Sequence, residues 1–86
     1  MIDLEAAHAL VEKMTHGQHV IEKLTRTTEW GWVLFYGEDE SSATPVLIDK
    51  FEEKFIGIGK GPVEVYVDTY TKERKEIRAQ IRGKGT

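Results

Sequence analysis

Residues 29–36, EWGWVLFY, form the segment whose residue types and spacing could do chemistry. The order aromatic-Gly-aromatic-Val-x-aromatic, from Trp30 to Phe35, imitates the inner part of the sheet motif on which RNA-recognition domains stack bases. That motif requires a cation and a glycine where this chain has Thr28 and Glu29. The formal net charge of -3 also disfavours phosphate binding, which depends on clustered Lys and Arg. We therefore expect no nucleic-acid partner.

The segment GIGKG, residues 57–61, is a second candidate because it precedes a predicted helix, where backbone N–H groups can receive an anion. It lacks the spacing of a phosphate-binding P-loop. Glycines that permit a tight strand-to-helix corner explain it better. A nucleotide binder or small enzyme that uses Lys60 is the corresponding alternative.

The histidines and carboxylates indicate neither a metal site nor a catalytic site. His16 and His19 could supply two ligands, but the chain has no Cys and no well-placed pair of carboxylates near them. His8 lies near the apolar face of a predicted helix, where a half-buried structural histidine is expected. No Ser-His-Asp or Cys-His arrangement is evident, so we expect no catalytic residue and no cofactor.

Bulk properties indicate one small domain, residues 1–86, with a thin core. The absence of Cys excludes a disulfide framework, and the first residues lack the features of a secretory signal. We therefore expect a cytoplasmic protein. No apolar run is long enough to span a bilayer, so we expect no membrane partner. The mildly acidic composition suits a basic partner.

Helical periodicity predicts a helix at each end of the chain. The first covers residues 3–15, with Asp3 as N-cap and Gly17 as a stop. The valines that follow Pro62 alternate like a strand, yet a helical face persists over a much longer window, to Ile81. The longer period predicts a helix over residues 62–82, with Pro62 at its first position and Gly83 as its stop.

Between the helices, strands are predicted for residues 19–28, 29–36, 45–50 and 54–60. The last two form a hairpin, and we expect Phe51 in its turn to fold back onto the sheet edge. The short connections favour an antiparallel meander. The predicted fold is therefore α+β, with an N-terminal helix, a four-stranded antiparallel sheet and a C-terminal helix.

The strands are apolar on both faces, which means that each face of the sheet needs a cover. Side chains alternate along a strand, so the second strand is expected to divide between the faces. One face would carry Trp30, Trp32, Leu34 and Tyr36, and the other Gly31, Val33 and Phe35. Either the two helices cover one face each, or one face meets another chain, for example in a homodimer.

Four features together resemble the bacterial immunity protein 35 family, also described as the YrhB-like domain. They are GWVLFY (31–36), PVLIDK (45–50), a glycine-containing corner and the pattern P-x-E-x-Y…Y, which comprises Pro62, Glu64, Tyr66 and Tyr70. The resemblance covers about residues 28–74. The loop after Tyr36 is shorter than is usual for the family, and the turn after Lys50 lacks the usual glycine. Both departures fall in loops, where partner choice is encoded.

The resemblance implies a small cytoplasmic protein, without catalysis, that neutralises a cognate polymorphic toxin. A chaperone-like or self-associating protein that uses an apolar sheet face is the alternative, because a chaperone-like role has also been attached to the domain. We expect acidic groups to face a basic toxin cleft. The candidate acidic contacts are Glu38, Asp39, Glu40, Glu52 and Glu53, and the candidate aromatic anchors are Trp30 and Tyr36.

Overall fold

The computed structural model describes residues 1–59 and 61–84, with side chains as far as residue 75 in the last helix. Two helices flank a four-stranded antiparallel sheet whose strands are neighbours in chain order. The predicted α+β fold is therefore confirmed. Its elements are α1 (Leu4–Met14), β1 (Arg26–Thr28), β2 (Gly31–Tyr36), β3 (Thr44–Asp49), β4 (Lys54–Gly57) and α2 (Val63–Lys84), with 3-10 turns at Glu22–Leu24 and Glu40–Ser42.

Helix α1 begins and ends as the sequence predicts. The Asp3 carboxylate accepts a hydrogen bond from the Ala6 N–H at 2.8 Å, which satisfies one of the unpaired donors of the first turn. The chain then reverses through His16 and Gly17, both with positive φ, and the Gly17 N–H donates to the Glu12 carbonyl.

The predicted first strand, residues 19–28, is wrong in its extent. Regular pairing is confined to Arg26–Thr28, and Val20 makes a single bridge to Tyr36. Between them the chain forms the 3-10 turn Glu22–Leu24, closed by a bond from the Thr25 N–H to the Glu22 carbonyl. The turn interrupts the ladder, so β-branched composition alone overestimates the strand.

Strand β2 starts two residues later than predicted, because residues 29 and 30 form the turn after β1. This changes the side-chain alternation. Trp30 packs with Val33 and Leu47 on one face, whereas Trp32 packs on the opposite face. The prediction that Trp30 and Trp32 share a face is therefore wrong, and the turn is the reason.

The last three elements differ slightly from their predicted bounds. Strand β3 spans Thr44–Asp49, one residue earlier than predicted, and β4 ends at Gly57 instead of residue 60. Helix α2 is continuous from Val63, one residue after Pro62, to Lys84, so Gly83 does not end it. The predicted helix is thus confirmed and its predicted stop is wrong.

The two helices cover opposite faces of the sheet. Ala7 and Val11 of α1 pack on Leu34, Val46 and Ile48, all of them buried. On the other face, side chains of α2 pack against Trp30, Val33 and Leu47; they include Val63, Tyr66, Val67 and Tyr70. Of the two expected arrangements, the structure has the one in which each helix covers one face. No sheet face is left uncovered, so the sheet faces give no reason to expect a homodimer.

Within the described ranges, no helix is both long and apolar enough to cross a bilayer.

Candidate functional site

Asp49, the last residue of β3, is the centre of a buried polar network. It has 0% of its surface exposed, and among the described residues it is the one buried polar or charged side chain. Its Oδ1 atom accepts hydrogen bonds from the N–H groups of Phe51 at 2.9 Å and Glu52 at 3.0 Å. Its Oδ2 atom accepts from the Tyr70 hydroxyl at 2.6 Å and from Arg74 Nε at 2.7 Å. The carboxylate therefore joins β3, the turn after it and α2.

The network stabilises one protonation state. Burial raises the pKa of Asp49. Hydrogen bonds from Tyr70 and from the two backbone N–H groups lower it, as does the charge of Arg74. These effects together exceed that of burial, so the pKa of Asp49 lies below the ordinary value. Burial and the hydrogen bond to Asp49 raise the pKa of the Tyr70 hydroxyl. At neutral pH the carboxylate is ionised and the phenol keeps its proton. Because both carboxylate oxygens are engaged, the geometry suits a positioning role.

The sequence carries a signal for part of this network. Asp49 ends the PVLIDK segment, and Tyr70 belongs to the pattern P-x-E-x-Y…Y. Tyr70 and Arg74 are four residues apart, so they lie on the same side of α2. A strand that ends in Asp, followed by a helix with that spacing, was the signal for a buried contact.

The turn at residues 50–53 projects Phe51 from this network. The Phe51 side chain is 43% exposed. Lys50 Nζ lies 5.2 Å from the centroid of its ring, and Arg74 Cζ lies 5.5 Å from it. Both distances are within the range of cation–π attraction. The ring therefore lies beside Arg74 of α2, whereas the sequence led us to expect it at the sheet edge.

The seven predicted contact residues divide between opposite ends of the sheet. Strands β2 and β3 pair over six residues, with Gly31 opposite Asp49 at one end and Tyr36 opposite Thr44 at the other. Six residues of strand correspond to about 20 Å. We call residues 29–30 and 50–53 the turn end, which contains Trp30, Glu52 and Glu53. We call residues 36–43 the loop end, which contains Tyr36, Glu38, Asp39 and Glu40.

The two aromatic residues predicted as anchors are parts of the core. Trp30 has 0% of its surface exposed, and its indole N–H donates to Thr71 Oγ1 at 2.7 Å. Its ring also meets Tyr70 edge-on, with 4.8 Å between ring centroids. Tyr36 is half-buried and packs against the α1 cluster. Trp30 cannot contact a partner in this conformation, and Tyr36 offers only part of its surface.

Asp39 gives the loop end a defined conformation. Its Oδ1 atom accepts hydrogen bonds from Ser41 Oγ at 2.7 Å, the Ser42 N–H at 2.9 Å and Ser42 Oγ at 3.0 Å. The Ser41 bond, followed by those from Ser42, lowers the pKa of Asp39. The carboxylate thus closes the 3-10 turn at Glu40–Ser42, and Glu40 forms an ion pair with Lys23.

Two adjoining depressions, each about 570 Å³, lie beside this loop and share His19, Val20 and Ile21 in their walls. Glu38 lines one of them, and Glu12 and Glu22 line the other. Together with Glu40, these side chains form an acidic surface beside the loop end, and all four are exposed. Lys23, the ion-pair partner of Glu40, lies in the wall of one depression.

The histidines lie in and beside the same region. His19 Nδ1 is 3.1 Å from Glu12 Oε1; the His19 side chain is largely exposed and the Glu12 side chain is 48% exposed. His8 is half-buried, as predicted, and its Nε2 atom has no hydrogen-bond partner. Among the residues that the structure describes, no three His, Cys, Asp or Glu side chains are arranged to hold a metal ion.

The glycines of the GIGKG segment lie between β4 and α2. Gly61 has φ of +132°, a conformation that glycine adopts without strain. A Cβ atom on Gly59 would lie 3.2 Å from the Tyr66 hydroxyl, so the backbone passes close to that side chain. These glycines fit the explanation of a tight corner. Lys60, on which the nucleotide alternative depends, lies outside the described residues.

No protein-family model matches the chain, and comparisons with curated proteins and with solved structures find no match either. The resemblance to the immunity protein 35 family therefore stays a prediction from the sequence.

Proposed function

We propose that this chain is a non-catalytic binding protein that neutralises a cognate toxin by covering the toxin's active surface. The observation that supports the proposal is the acidic surface beside the loop end, where the hydrogen bonds of Asp39 close the turn that carries Glu40. A loop that is ordered before binding loses less conformational entropy when a partner docks. Such a surface can therefore contribute affinity as well as charge.

The charge of this surface defines the partner's chemistry. Glu12, Glu22 and Glu38 are exposed and line the two depressions. Glu40 is exposed nearby and pairs with Lys23, which lies in the wall of one depression. A partner with a basic cleft would be attracted over a distance of about 10 Å at moderate salt. Association would then be fast and would slow as ionic strength rises. Asp39 would act through the shape of the loop, because its Oδ1 is already engaged.

The chaperone-like alternative requires an apolar sheet face that can hold unfolded chains. Helix α1 covers one face and α2 covers the other, with buried contacts on both. A client could reach either face only if a helix detached. We therefore favour the toxin-binding function, in which the outer surface makes the contact.

Co-expression with the protein encoded next to this one tests the proposal. If that neighbour is the toxin, its expression alone should stop growth, and co-expression of this chain should restore growth. We expect Glu38→Lys to weaken binding about tenfold and to reduce the dependence of the association rate on salt. Asp68→Lys, an equal charge change on the exposed surface of α2, is the matched control and should bind like the wild type.

Two results would contradict the proposed function. One is a failure of this chain to bind the neighbouring protein or to restore growth. The other is general suppression of aggregation of many unfolded proteins, which would favour the chaperone-like alternative.

A further inference from the structure

We draw no further inference here: the strongest candidate, the depression of about 200 Å³ beside the exposed Phe51 ring at the turn end, is lined by charges of both signs (Glu29, Arg74 and Lys75), and nothing in the structure shows what covers it.

Discussion

At the scale of residues, a buried carboxylate is costly unless donors surround it. Asp49 has four donors, two from the backbone and two from α2, and one of them carries a positive charge. Removing one partner of such a network leaves the others buried with unsatisfied polar groups. The network therefore stabilises the fold only as a complete set.

Replacement of Asp49 by Asn tests this dependence. Asn keeps the size of the side chain but has no charge, and its NH₂ group cannot accept hydrogen bonds from Tyr70 and Arg74. We expect the free energy of unfolding at pH 7 to fall by about 2–4 kcal/mol. Urea unfolding measures the change. Glu53→Gln, at an exposed carboxylate in the same turn, is the control and should have a much smaller effect.

The stability of the wild type and that of Asp49→Asn should depend differently on pH. The pKa of Asp49 is lower in the folded than in the unfolded state, so its contribution is complete above the unfolded value, about 3.9. The contribution is lost as pH falls through the folded value. The gap in unfolding free energy between wild type and Asp49→Asn should therefore narrow below about pH 4. A gap that stays constant down to pH 3 would show that ionised Asp49 does not stabilise the fold.

At the scale of elements, the start of β2 depends on close contact with β3. Gly31 has φ of +157°, and a Cβ atom there would lie 1.9 Å from the Ile48 carbonyl oxygen. The same residue follows the turn that sends Trp30 to the α2 face. Position 31 thus combines a positive φ, which favours glycine, with no room for a Cβ atom.

We expect Gly31→Ala to destabilise the protein by about 3 kcal/mol or more, because backbone atoms of β3 would have to move. Gly57→Ala in β4 is the matched control, since no atom lies within 4 Å of its added Cβ. That variant should stay within about 1 kcal/mol of the wild type. Thermal or urea unfolding compares the two, and equal stability of both variants would contradict the prediction.

At the scale of the whole molecule, the division of the helices between the faces determines which surfaces are available. Buried clusters lie on both sides of the sheet, and the loop end and the turn end lie at opposite ends of its strands. A partner that contacts both ends must extend along the strands for about 20 Å. A standard interface of about 800 Å² per partner is large enough for this.

Because each sheet face is covered within the chain, we expect sedimentation equilibrium to give the mass of one 86-residue chain at micromolar concentration. Association through a sheet face would require a helix to detach, which would expose its buried apolar side chains. A dimer at that concentration would contradict this prediction and would return the homodimer to consideration.

The fold could be predicted because local patterns carry it. Helical spacing, the Asp3 cap and the alternation of strands gave the element types and their order. Bounds were less accurate where a turn interrupts a run of strand-forming residues, as at the 3-10 turn Glu22–Leu24 and at residues 29–30 before β2. The site was predicted least well. A loop residue can be placed next to a strand from the sequence, but the end of the sheet at which it lies depends on how the strands pair.

The sequence by itself determined the class of fold, the presence of two apolar sheet faces and the acidic character of the loops. These properties follow from composition and periodicity, which act over a few residues. Only the tertiary structure decided that Trp30 is core, that Asp49 meets Tyr70 and Arg74, and that the predicted contacts divide between two ends. The physical reason is that burial and hydrogen-bond partners are set by residues 20 or more positions away, which packing alone brings together.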